Sequence, residues 1–395
     1  MKKILAVLIL GLLLGFTSGH LAMAEQPGAG KTQKQFKGPV KVFILAGQSN
    51  MEGLGGVRTL DALGEHPTHG YLLKKIKNDD GSFVVRDDVF VYYHRASDSQ
   101  FFKHPLTVGM GGWGGGEWFG PELMFGIQMG DYFEEPVLLI KTAWGGKDLY
   151  YDFRPPSAGK PAYDVGKRDS KMGEYYRKMV EDVHTCLAHL DTDFPQFKGL
   201  EYQLCGLVWF QGWNDMCSGK KEAWKEYPSN FVHLVQDLRT DLKVPNLPVV
   251  VGELGCGGET DAGQIPFRQE QAKIATRPEL KGKVGYVRTA PFWYPALDEL
   301  PRKLGAEEGR VRQKISARVK EQYRNKPESS DPKRMEQLVN EALDEALKKD
   351  AAYQRVKKEH DRHVSNWFCH YNGSGRVYCM VGYSLAEAMK PLLAK

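Results

Sequence analysis

Six short runs of apolar residues, rich in β-branched side chains, recur along the chain and constrain its fold more than any other feature. Their apolar residues are continuous rather than alternating, which is typical of strands buried on both faces of a sheet. Helical patterns lie between several of them, and strands that alternate with helices form a parallel sheet covered on both faces. We therefore predict an α/β fold, a three-layer α/β/α sandwich with a mainly parallel sheet. The predicted strands are Val42–Ala46, Val89–Tyr93, Val137–Ile140, Leu207–Phe210, Val249–Val251 and Val284–Val287.

Two segments between these runs are predicted helices. From Met172 to Leu190, apolar side chains recur at helical spacing and fall on one face. Ser229 is expected to cap the start of a second helix, with Phe231 and Leu238 facing inward. Such helices would bury their apolar faces against the sheet.

The chain from about residue 301 to 363 departs from this scheme because it is densely charged. Asp331 and Pro332 are a favourable N-cap and first residue of a helix. The apolar residues that follow form a stripe at helical spacing: Met335, Leu338, Val339, Ala342, Leu343 and Ala346. We predict a helical insertion at 301–363 that divides one domain into a first part, 25–300, and a C-terminal part, 364–395. A solvated decoration without a part in the chemistry is favoured over a lid.

The first 24 residues have the pattern of a secretory signal peptide. Two lysines precede the apolar segment Ile4–Phe16, and the small residues Ala22 and Ala24 form a cleavage site. The apolar segment is short for a membrane span. We therefore predict cleavage after Ala24 and a secreted or periplasmic mature protein that makes no membrane contact.

Composition and motifs argue against several kinds of partner and cofactor. The formal net charge is +5 over 395 residues, without a basic stripe interleaved with aromatic residues, so nucleic acid is not a predicted partner. The six cysteines form no C-x-x-C motif, H-E-x-x-H is absent, and the glycine clusters lack the context of a phosphate-binding loop. We expect neither a metal nor an organic cofactor. No feature of the sequence indicates an oligomeric state.

Polar residues and glycines follow three of the predicted strands, as Gly47–Met51, Thr142–Gly146 and Gln211–Asp215. Active sites of doubly wound sheets form at the carboxyl ends of strands. These segments supply a hydroxyl, backbone N–H groups and a carboxamide, which are the parts of a nucleophile with an oxyanion hole. A serine nucleophile also needs a base, and the best candidate is His370, just before a glycine-containing turn. His363, at the end of the charged insertion, is expected to be solvated.

Five tryptophans lie in loops rather than in periodic elements. Stacking on sugar rings and filling apolar space beneath long loops are both open interpretations. They are Trp113, Trp118, Trp144, Trp213 and Trp293.

Five blocks of sequence, in order, resemble the SGNH-type carbohydrate acetylesterases, the group that includes sialate O-acetylesterases and acetylxylan esterases. The blocks are FILAGQSNMEG, FGPELMFG, LIKTAWGGKDL, GLVWFQGWND and CHYNGSGRVYCMVG. They span most of Val42–Met389, apart from the charged insertion. The resemblance implies an SGNH/flavodoxin-like sandwich and a serine esterase that removes O-acetyl groups from sialic acid, xylan or a related glycan.

The resemblance also assigns roles to individual residues. Ser49 would be the nucleophile that forms an acetyl-enzyme, and His370 would be its general base. The backbone N–H groups of Ser49 and of Gly145 or Gly146 would bind the oxyanion, with Gln211 as a side-chain donor. Candidates for a supporting role are Gln48, Asn50, Trp144 and Asp215.

Two positions depart from the pattern of that family. Trp367 stands where an Asp usually precedes the catalytic histidine by three residues, and Trp213 stands where Glu usually follows Gln-Gly. His370 would then be oriented by a backbone carbonyl, by Asp361 or by a carboxylate from another loop. The departures also motivate an alternative, a carbohydrate-binding protein that has lost catalysis. Retention of the nucleophile and the oxyanion-binding parts favours the enzyme.

Overall fold

The computed structural model describes residues 35–163, 171–218 and 220–394. The predicted signal peptide, residues 1–24, lies outside these ranges. The strands are β1 (Val40–Gly47), β2 (Gly55–Gly56), β3 (Val89–His94), β4 (Phe101–Pro105), β5 (Trp118–Phe119), β6 (Val137–Ala143), β7 (Tyr202–Phe210), β8 (Val249–Gly252) and β9 (Val284–Val287). The helices are α1 (Ser49–Glu52), α2 (Glu122–Tyr132), α3 (Glu174–Ala188), α4 (Leu190–Asp193), α5 (Trp213–Cys217), α6 (Lys221–Trp224), α7 (Tyr227–Asp241), α8 (Ile265–Ala272), α9 (Ala296–Tyr323), α10 (Pro332–Lys349), α11 (Ala351–His363) and α12 (Gly375–Leu393).

Within the described ranges, seven strands form one sheet in the order β4-β3-β6-β1-β7-β8-β9. The six predicted runs form its six mutually parallel strands. Helices cover both faces, with α2 packed against α12 and α3 packed against β6 and α7. The predicted three-layer α/β architecture with a mainly parallel sheet is therefore confirmed.

The edge strand β4 was not predicted. It pairs antiparallel with β3 and carries the mixed sequence Phe101–Pro105, in which Phe102 alone is buried. The remaining residues face solvent or the sheet edge, so the segment has no continuous apolar run. Edge strands of this kind are recognised by pairing rather than by composition.

The helices around the sheet follow from their apolar faces. In α3 the side chains of Tyr176, Met179 and Val183 are buried on one face, as predicted. The predicted cap at Ser229 is wrong, because α7 begins earlier, at Tyr227, with Pro228 in its first turn. Proline fits there because its missing N–H has no partner in a first turn. The Ser229 hydroxyl instead donates to the carbonyl oxygen of Glu226, at 3.0 Å.

The charged segment folds as three helices, α9, α10 and α11, of which α9 begins at Ala296. The Asp331 carboxylate caps α10 by accepting from the N–H groups of Lys333 (2.9 Å) and Arg334 (3.2 Å). Helices α9 and α10 share an apolar cluster separate from the main core, whose buried members are Val311, Ile315, Val319, Val339 and Leu343. Helix α11 packs against α9 and against the 3₁₀ segment Val57–Glu65.

Of the helices in the described part of the chain, none combines the length and the apolar character needed to cross a membrane.

Strand β1 lies between β6 and β7 at the centre of the sheet. Its last residue, Gly47, pairs with Ala143 at the end of β6 and with Phe210 at the end of β7. A Cβ at Gly47 would lie 2.2 Å from the Phe210 carbonyl oxygen, so only glycine fits between these strand ends. The segments that follow β1, β6 and β7 therefore emerge side by side.

Candidate active site

Ser49 begins α1, two residues after β1, and is half-buried at the carboxyl edge of the sheet. Its hydroxyl oxygen lies 3.1 Å from Nε2 of His370. The other ring nitrogen of His370, Nδ1, lies 2.9 Å from Oδ1 of Asn366. A hydroxyl, an imidazole and an amide thus form a continuous hydrogen-bonded row.

The hydrogen bonds of Asn366 determine which nitrogen of His370 carries a proton. Oδ1 of Asn366 also accepts from the backbone N–H of Trp367, at 2.7 Å. Because that N–H can only donate, the amide oxygen rather than the amide nitrogen must face it. The same oxygen faces Nδ1 of His370, which therefore carries the proton. Nε2 is left with its lone pair directed at the Ser49 hydroxyl, as a general base requires.

The imidazole of His370 is largely enclosed. It is 8% exposed, with the Trp367 ring stacked at 5.9 Å and the Trp113 ring nearly perpendicular at 6.4 Å. Burial lowers the pKa of His370 to about 4, because the charged form loses hydration. The ring is therefore neutral, and able to accept a proton, at all pH values above about 4.

The backbone around His370 is held by Asn50, a residue predicted to have a supporting role. Nδ2 of Asn50 donates to the carbonyl oxygen of Cys369 at 3.0 Å, and its Oδ1 accepts from the Tyr378 hydroxyl at 2.8 Å. Tyr371 and Asn372, directly after the histidine, both have left-handed backbone angles, with φ of 51° and 52°. This conformation is uncommon for residues other than glycine. The chain turns back there, and the carbonyl oxygen of Asn372 accepts from the N–H groups of Ser365 (2.8 Å) and Asn366 (3.1 Å).

Asp361 does not orient His370, although it was one of the predicted alternatives. It lies on α11, where its carboxylate pairs with Lys357 and is 3.0 Å from Nδ1 of His360. The expectation that His363 is solvated is also wrong. His363 is 3% exposed, and its Nδ1 lies 3.0 Å from the Tyr294 hydroxyl.

Gln48 links the end of β1 to the segment that follows β7 through hydrogen bonds. Its Oε1 accepts from Nε2 of Gln211 at 3.1 Å and from the N–H groups of Gly212 and Asn214, both at 3.2 Å. Its Nε2 donates to Oδ1 of Asn214 at 3.0 Å. Gln48 precedes Ser49 directly, so these bonds hold β1 and β7 together at the nucleophile.

Gln211 was predicted to donate its side-chain amide to an oxyanion, and its surroundings argue against that role. Nε2 has three protein acceptors: Oε1 of Gln48, the Lys147 carbonyl oxygen at 3.1 Å and Oδ2 of Asp215 at 2.6 Å. An amide nitrogen has two protons, so these acceptors occupy both. Gln211 is 3% exposed, and its amide holds together Gln48, the loop after β6 and Asp215.

Asp215 belongs to the same network of buried hydrogen bonds as Gln211. Its carboxylate accepts from the backbone N–H groups of Leu149 (2.9 Å) and Tyr150 (3.0 Å), and so ties α5 to the loop after β6. Burial, together with the neighbouring Asp148, raises the pKa of Asp215. The residue is structural in this position.

Gly146 and Trp144 lie on different sides of the loop that follows β6. A methyl group on Gly146 would meet a single neighbour, Nδ2 of Asn214, at 3.9 Å, so this backbone borders open space. The Gly146 carbonyl accepts from the same Nδ2 at 2.7 Å. The Trp144 ring instead packs against Phe153 (5.9 Å) and Tyr175 (5.2 Å), where it fills space beneath the loop.

Glu52, which the sequence did not single out, lies beside the nucleophile. A methyl group on Gly145 would be 2.9 Å from Oε2 of Glu52 and 3.9 Å from Cβ of Ser49. The Gly145 N–H donates a hydrogen bond to the Glu52 carboxyl group. Burial raises the pKa of Glu52 to about 7, although Lys141 and the Gly145 N–H act in the opposite direction.

A buried ion pair supports α1 from below. Nζ of Lys141 lies 3.0 Å from Oε2 of Glu122, and both side chains are 0% exposed. The same ammonium donates to the backbone carbonyl oxygens of Glu52 (2.5 Å) and Met110 (2.9 Å). Lys141 therefore links the last residue of α1 to β6 and α2.

Over residues 35–163, 171–218 and 220–394, no three His, Cys, Asp or Glu side chains come together in a way that could hold a metal ion.

Several known proteins are similar to this chain. A probable carbohydrate esterase of Arabidopsis thaliana is 24% identical over 223 residues, which is 56% of this chain and 71% of that protein. The solved structure of an Arabidopsis thaliana protein aligns with a TM-score of 0.40 and 19% identity, over 64% of this chain and 86% of its own. A carbohydrate acetylesterase from Xanthomonas citri aligns with a TM-score of 0.39 and 15% identity, over 65% and 51% of the two chains. The crystal structure of NanS aligns with a TM-score of 0.39 and 15% identity, over 64% of this chain and 79% of its own.

The profile of one protein family matches this chain directly. That family is described as "Carbohydrate esterase, sialic acid-specific acetylesterase", and the match covers residues 39–284, more than half of the 395 residues. It includes Ser49, both glycines after β6 and Gln211. The chain therefore belongs to the sialic acid-specific acetylesterase family of carbohydrate esterases.

Proposed function

We propose that this protein is a serine esterase that removes O-acetyl groups from carbohydrate through an acetyl-serine intermediate. The observation that carries the proposal is the row from Ser49 Oγ through His370 to Asn366, with separations of 3.1 and 2.9 Å. Membership in a family of carbohydrate acetylesterases supports the class of substrate.

The proposed reaction begins with attack of Ser49 Oγ on the acetyl carbonyl carbon, while Nε2 of His370 takes the hydroxyl proton. Collapse of the tetrahedral intermediate breaks the bond to the sugar oxygen, which takes that proton from Nε2. His370 then activates water, which attacks the acetyl-serine and releases acetate. Throughout, Oδ1 of Asn366 accepts from Nδ1–H and keeps the ring in the required tautomer.

The oxyanion of the intermediate is proposed to lie between the backbone N–H groups of Ser49 and Gly146. Gly146 borders open space beside the nucleophile, which suits an incoming carbonyl oxygen. The Gly145 N–H is engaged by Glu52, so it contributes less directly. Fixed N–H donors of this kind stabilise the charge that develops in the transition state.

The alternative of a binding protein without catalysis loses its main motive. It rested on Trp367 and Trp213, which stand where acids are usual in the family. Asn366 lies beside Nδ1 of His370, where an orienting acid would act, and this removes the first of the two reasons. In papain-like proteases an asparagine fills the same place in a catalytic triad.

Replacement of Ser49 tests the proposal. We expect Ser49→Ala to lower kcat/KM for p-nitrophenyl acetate, and acetate release from acetylated xylan, by at least about 10³-fold, because the nucleophile is removed. Ser329→Ala, an exposed serine before α10, is the matched control and should retain full activity. Circular dichroism should show both variants folded. Ester hydrolysis that survives in Ser49→Ala would refute the assignment.

We also propose that the mature protein is exported, to the periplasm or to the medium. The pattern of residues 1–24 supports this.

A further inference from the structure

A cavity of about 320 Å³ lies next to the catalytic loop, residues 364–374 between α11 and α12, because Gly257 in its wall approaches Phe368 of that loop. Its walls are the loop Gly257–Thr260 after β8, the segment Ala290–Pro295 after β9, and the first turns of α9. Trp293 presents its ring to this space, and Asp298, Glu299 and Arg302 stand at its border on α9. Ser49, His370 and Asn366 are not part of its lining.

Aromatic rings connect the cavity to the catalytic histidine. The ring of Trp293 is 5.3 Å from that of Phe368, which in turn is 6.2 Å from that of Trp213. Phe368 precedes His370 by two residues and is 41% exposed. A Cβ on Gly257, in the cavity wall, would lie 2.8 Å from Cζ of Phe368. The rings of Trp213, Phe368 and Trp293 therefore form a cluster between the segment that carries His370 and the cavity.

The chemistry at His370 determines where the sugar must lie. The sugar oxygen that leaves in the proposed reaction takes its proton from Nε2 of His370, so the carbohydrate occupies the histidine side of the site. Aromatic faces pack well against the C–H faces of pyranose rings, since both are apolar and flat. Phe368, two residues before His370, and Trp293, in the cavity lining, offer such faces.

Most of the charged residues that line the cavity are carboxylates. Glu259 pairs with Arg288, and Glu299 pairs with Lys303 at 3.0 Å. Asp298 accepts from Nε1 of Trp293 at 2.8 Å. The lining thus has three carboxylates, Glu259, Asp298 and Glu299, and one cation, Arg302, so it offers no surplus positive charge to an anionic sugar. Carboxylates and a guanidinium can, however, exchange hydrogen bonds with neutral hydroxyl groups.

We propose that this cavity is a subsite for a neutral pyranose of the substrate glycan, next to the sugar that is deacetylated at Ser49. The subsite rests on the proposed esterase function, since its orientation is inferred from the leaving sugar oxygen. Substrates longer than a single sugar would gain binding energy from Trp293.

Binding to the full-length Ser49→Ala protein tests the subsite without catalysis. The protein is first screened on an array of neutral and sialylated oligosaccharides, and we expect it to bind glycans that contain a neutral pyranose. Isothermal titration calorimetry then measures the affinity for the oligosaccharides that bind. Adding Trp293→Ala should weaken this binding at least tenfold, and Trp293→Phe, which keeps an aromatic face, should weaken it less. Tyr202→Ala, at the opposite end of β7 and 47% exposed, is the matched control. Binding to no oligosaccharide, or binding that is indifferent to Trp293→Ala, would overturn the proposal.

Kinetics of the otherwise native enzyme separate this inference from the proposed function. With acetylated oligosaccharides, Trp293→Ala should raise KM, and its loss of kcat/KM should exceed the loss on p-nitrophenyl acetate at least tenfold. Equal losses on the two substrates would mean that Trp293 acts on the catalytic loop rather than on sugar. If Ser49→Ala still hydrolyses esters, the esterase assignment fails. If Ser49→Ala is inactive but Trp293→Ala loses the same factor of kcat/KM on both substrates, the subsite proposal fails and the esterase assignment stands.

Discussion

A neutral amide, Asn366, faces Nδ1 of His370 where a carboxylate would stabilise an imidazolium ion. The amide fixes the tautomer of the ring but contributes no negative charge. Burial beneath Trp367 therefore acts on His370 without compensation, and its pKa falls to about 4. The base is weak but remains unprotonated in acidic surroundings.

Substitution of Asn366 should change both rate and pH dependence. In Asn366→Asp a carboxylate beside Nδ1 favours the charged ring, so the pKa of His370 rises and the acidic limb of kcat/KM moves to higher pH. In Asn366→Ala the ring loses its orienting acceptor, and we expect a loss of at least about tenfold at pH 7. Full pH profiles with p-nitrophenyl acetate measure both effects.

Asn325→Asp, an exposed position after α9, provides the control for the added negative charge. An acidic limb that stays in place in Asn366→Asp would contradict the proposed contact.

Glu52 should set the alkaline side of the same profile. Its carboxyl group is neutral below a pKa of about 7 and anionic above it. The anion beside Gly145 and Ser49 opposes the negative charge of the tetrahedral intermediate, so kcat/KM should fall above about pH 7, by about tenfold. Glu52→Gln cannot ionise and should remove this fall.

The measurement is kcat/KM from pH 5 to 9 for the unmodified protein and for Glu52→Gln, with Glu321→Gln, at an exposed position, as the control. If Glu52→Gln keeps the wild-type decline, another group is responsible for it.

The sequence predicted Ser49 and His370, which the structure brings within 3.1 Å, but it did not predict Asn366. Asn366 precedes His370 by four residues rather than three. Whether the fourth or the third residue faces Nδ1 depends on the left-handed turn at Tyr371 and Asn372, which no spacing rule reveals. Gln211 was assigned as a donor for a similar reason, since its three acceptors become apparent only in three dimensions.

Among the elements, continuous apolar runs were the most informative signal. Strands buried on both faces have little freedom in composition, so all six parallel strands could be located. Strand β4 was not predicted because it is half-exposed at an edge of the sheet and so lacks a continuous apolar run. The start of α7 was misplaced at Ser229 because two residues that favour helix starts, Pro228 and Ser229, are adjacent.

The separate apolar cluster of α9 and α10 gives a prediction about stability. Leu343 is 2% exposed within it, and Leu343→Ala should cost about 2–5 kcal/mol of local stability. Hydrogen exchange should accelerate across α9 and α10, while exchange in β1 and β7 stays slow because the main core is distinct. The exposed Glu336→Ala on the same helix is the control. Uniformly faster exchange across the sheet would show that the two cores unfold as one.

At the scale of the whole molecule, the charged segment is joined to the catalytic loop more closely than its composition suggested. Helix α11 ends at His363, whose ring contacts Tyr294, and Arg362 pairs with Glu65 of the 3₁₀ segment. Asn366 follows three residues later. Charge density predicts exposure on average, but it does not identify the few residues of such a helix that are buried, here Tyr353 and His363.

Export is a prediction for the whole chain. If residues 1–24 are a cleaved signal peptide, the exported protein should begin at Glu25. Mass spectrometry of protein recovered from the periplasm or the medium measures this, and a variant with Ala22→Leu and Ala24→Leu should be processed poorly. Exported protein that retains the first 24 residues would refute the prediction.

The row of hydrogen bonds at the site also fixes when activity can arise during synthesis. Ser49 and His370 are 321 positions apart, with the serine after β1 and the histidine just before α12. A ribosome makes the nucleophile early and its base late, and the loop between them must close before the two meet. Under the proposed mechanism, a nascent chain therefore holds a serine without its base and would not cleave esters. Hydrolysis by this mechanism would begin only when α12 has packed against α2 and brought the histidine into place.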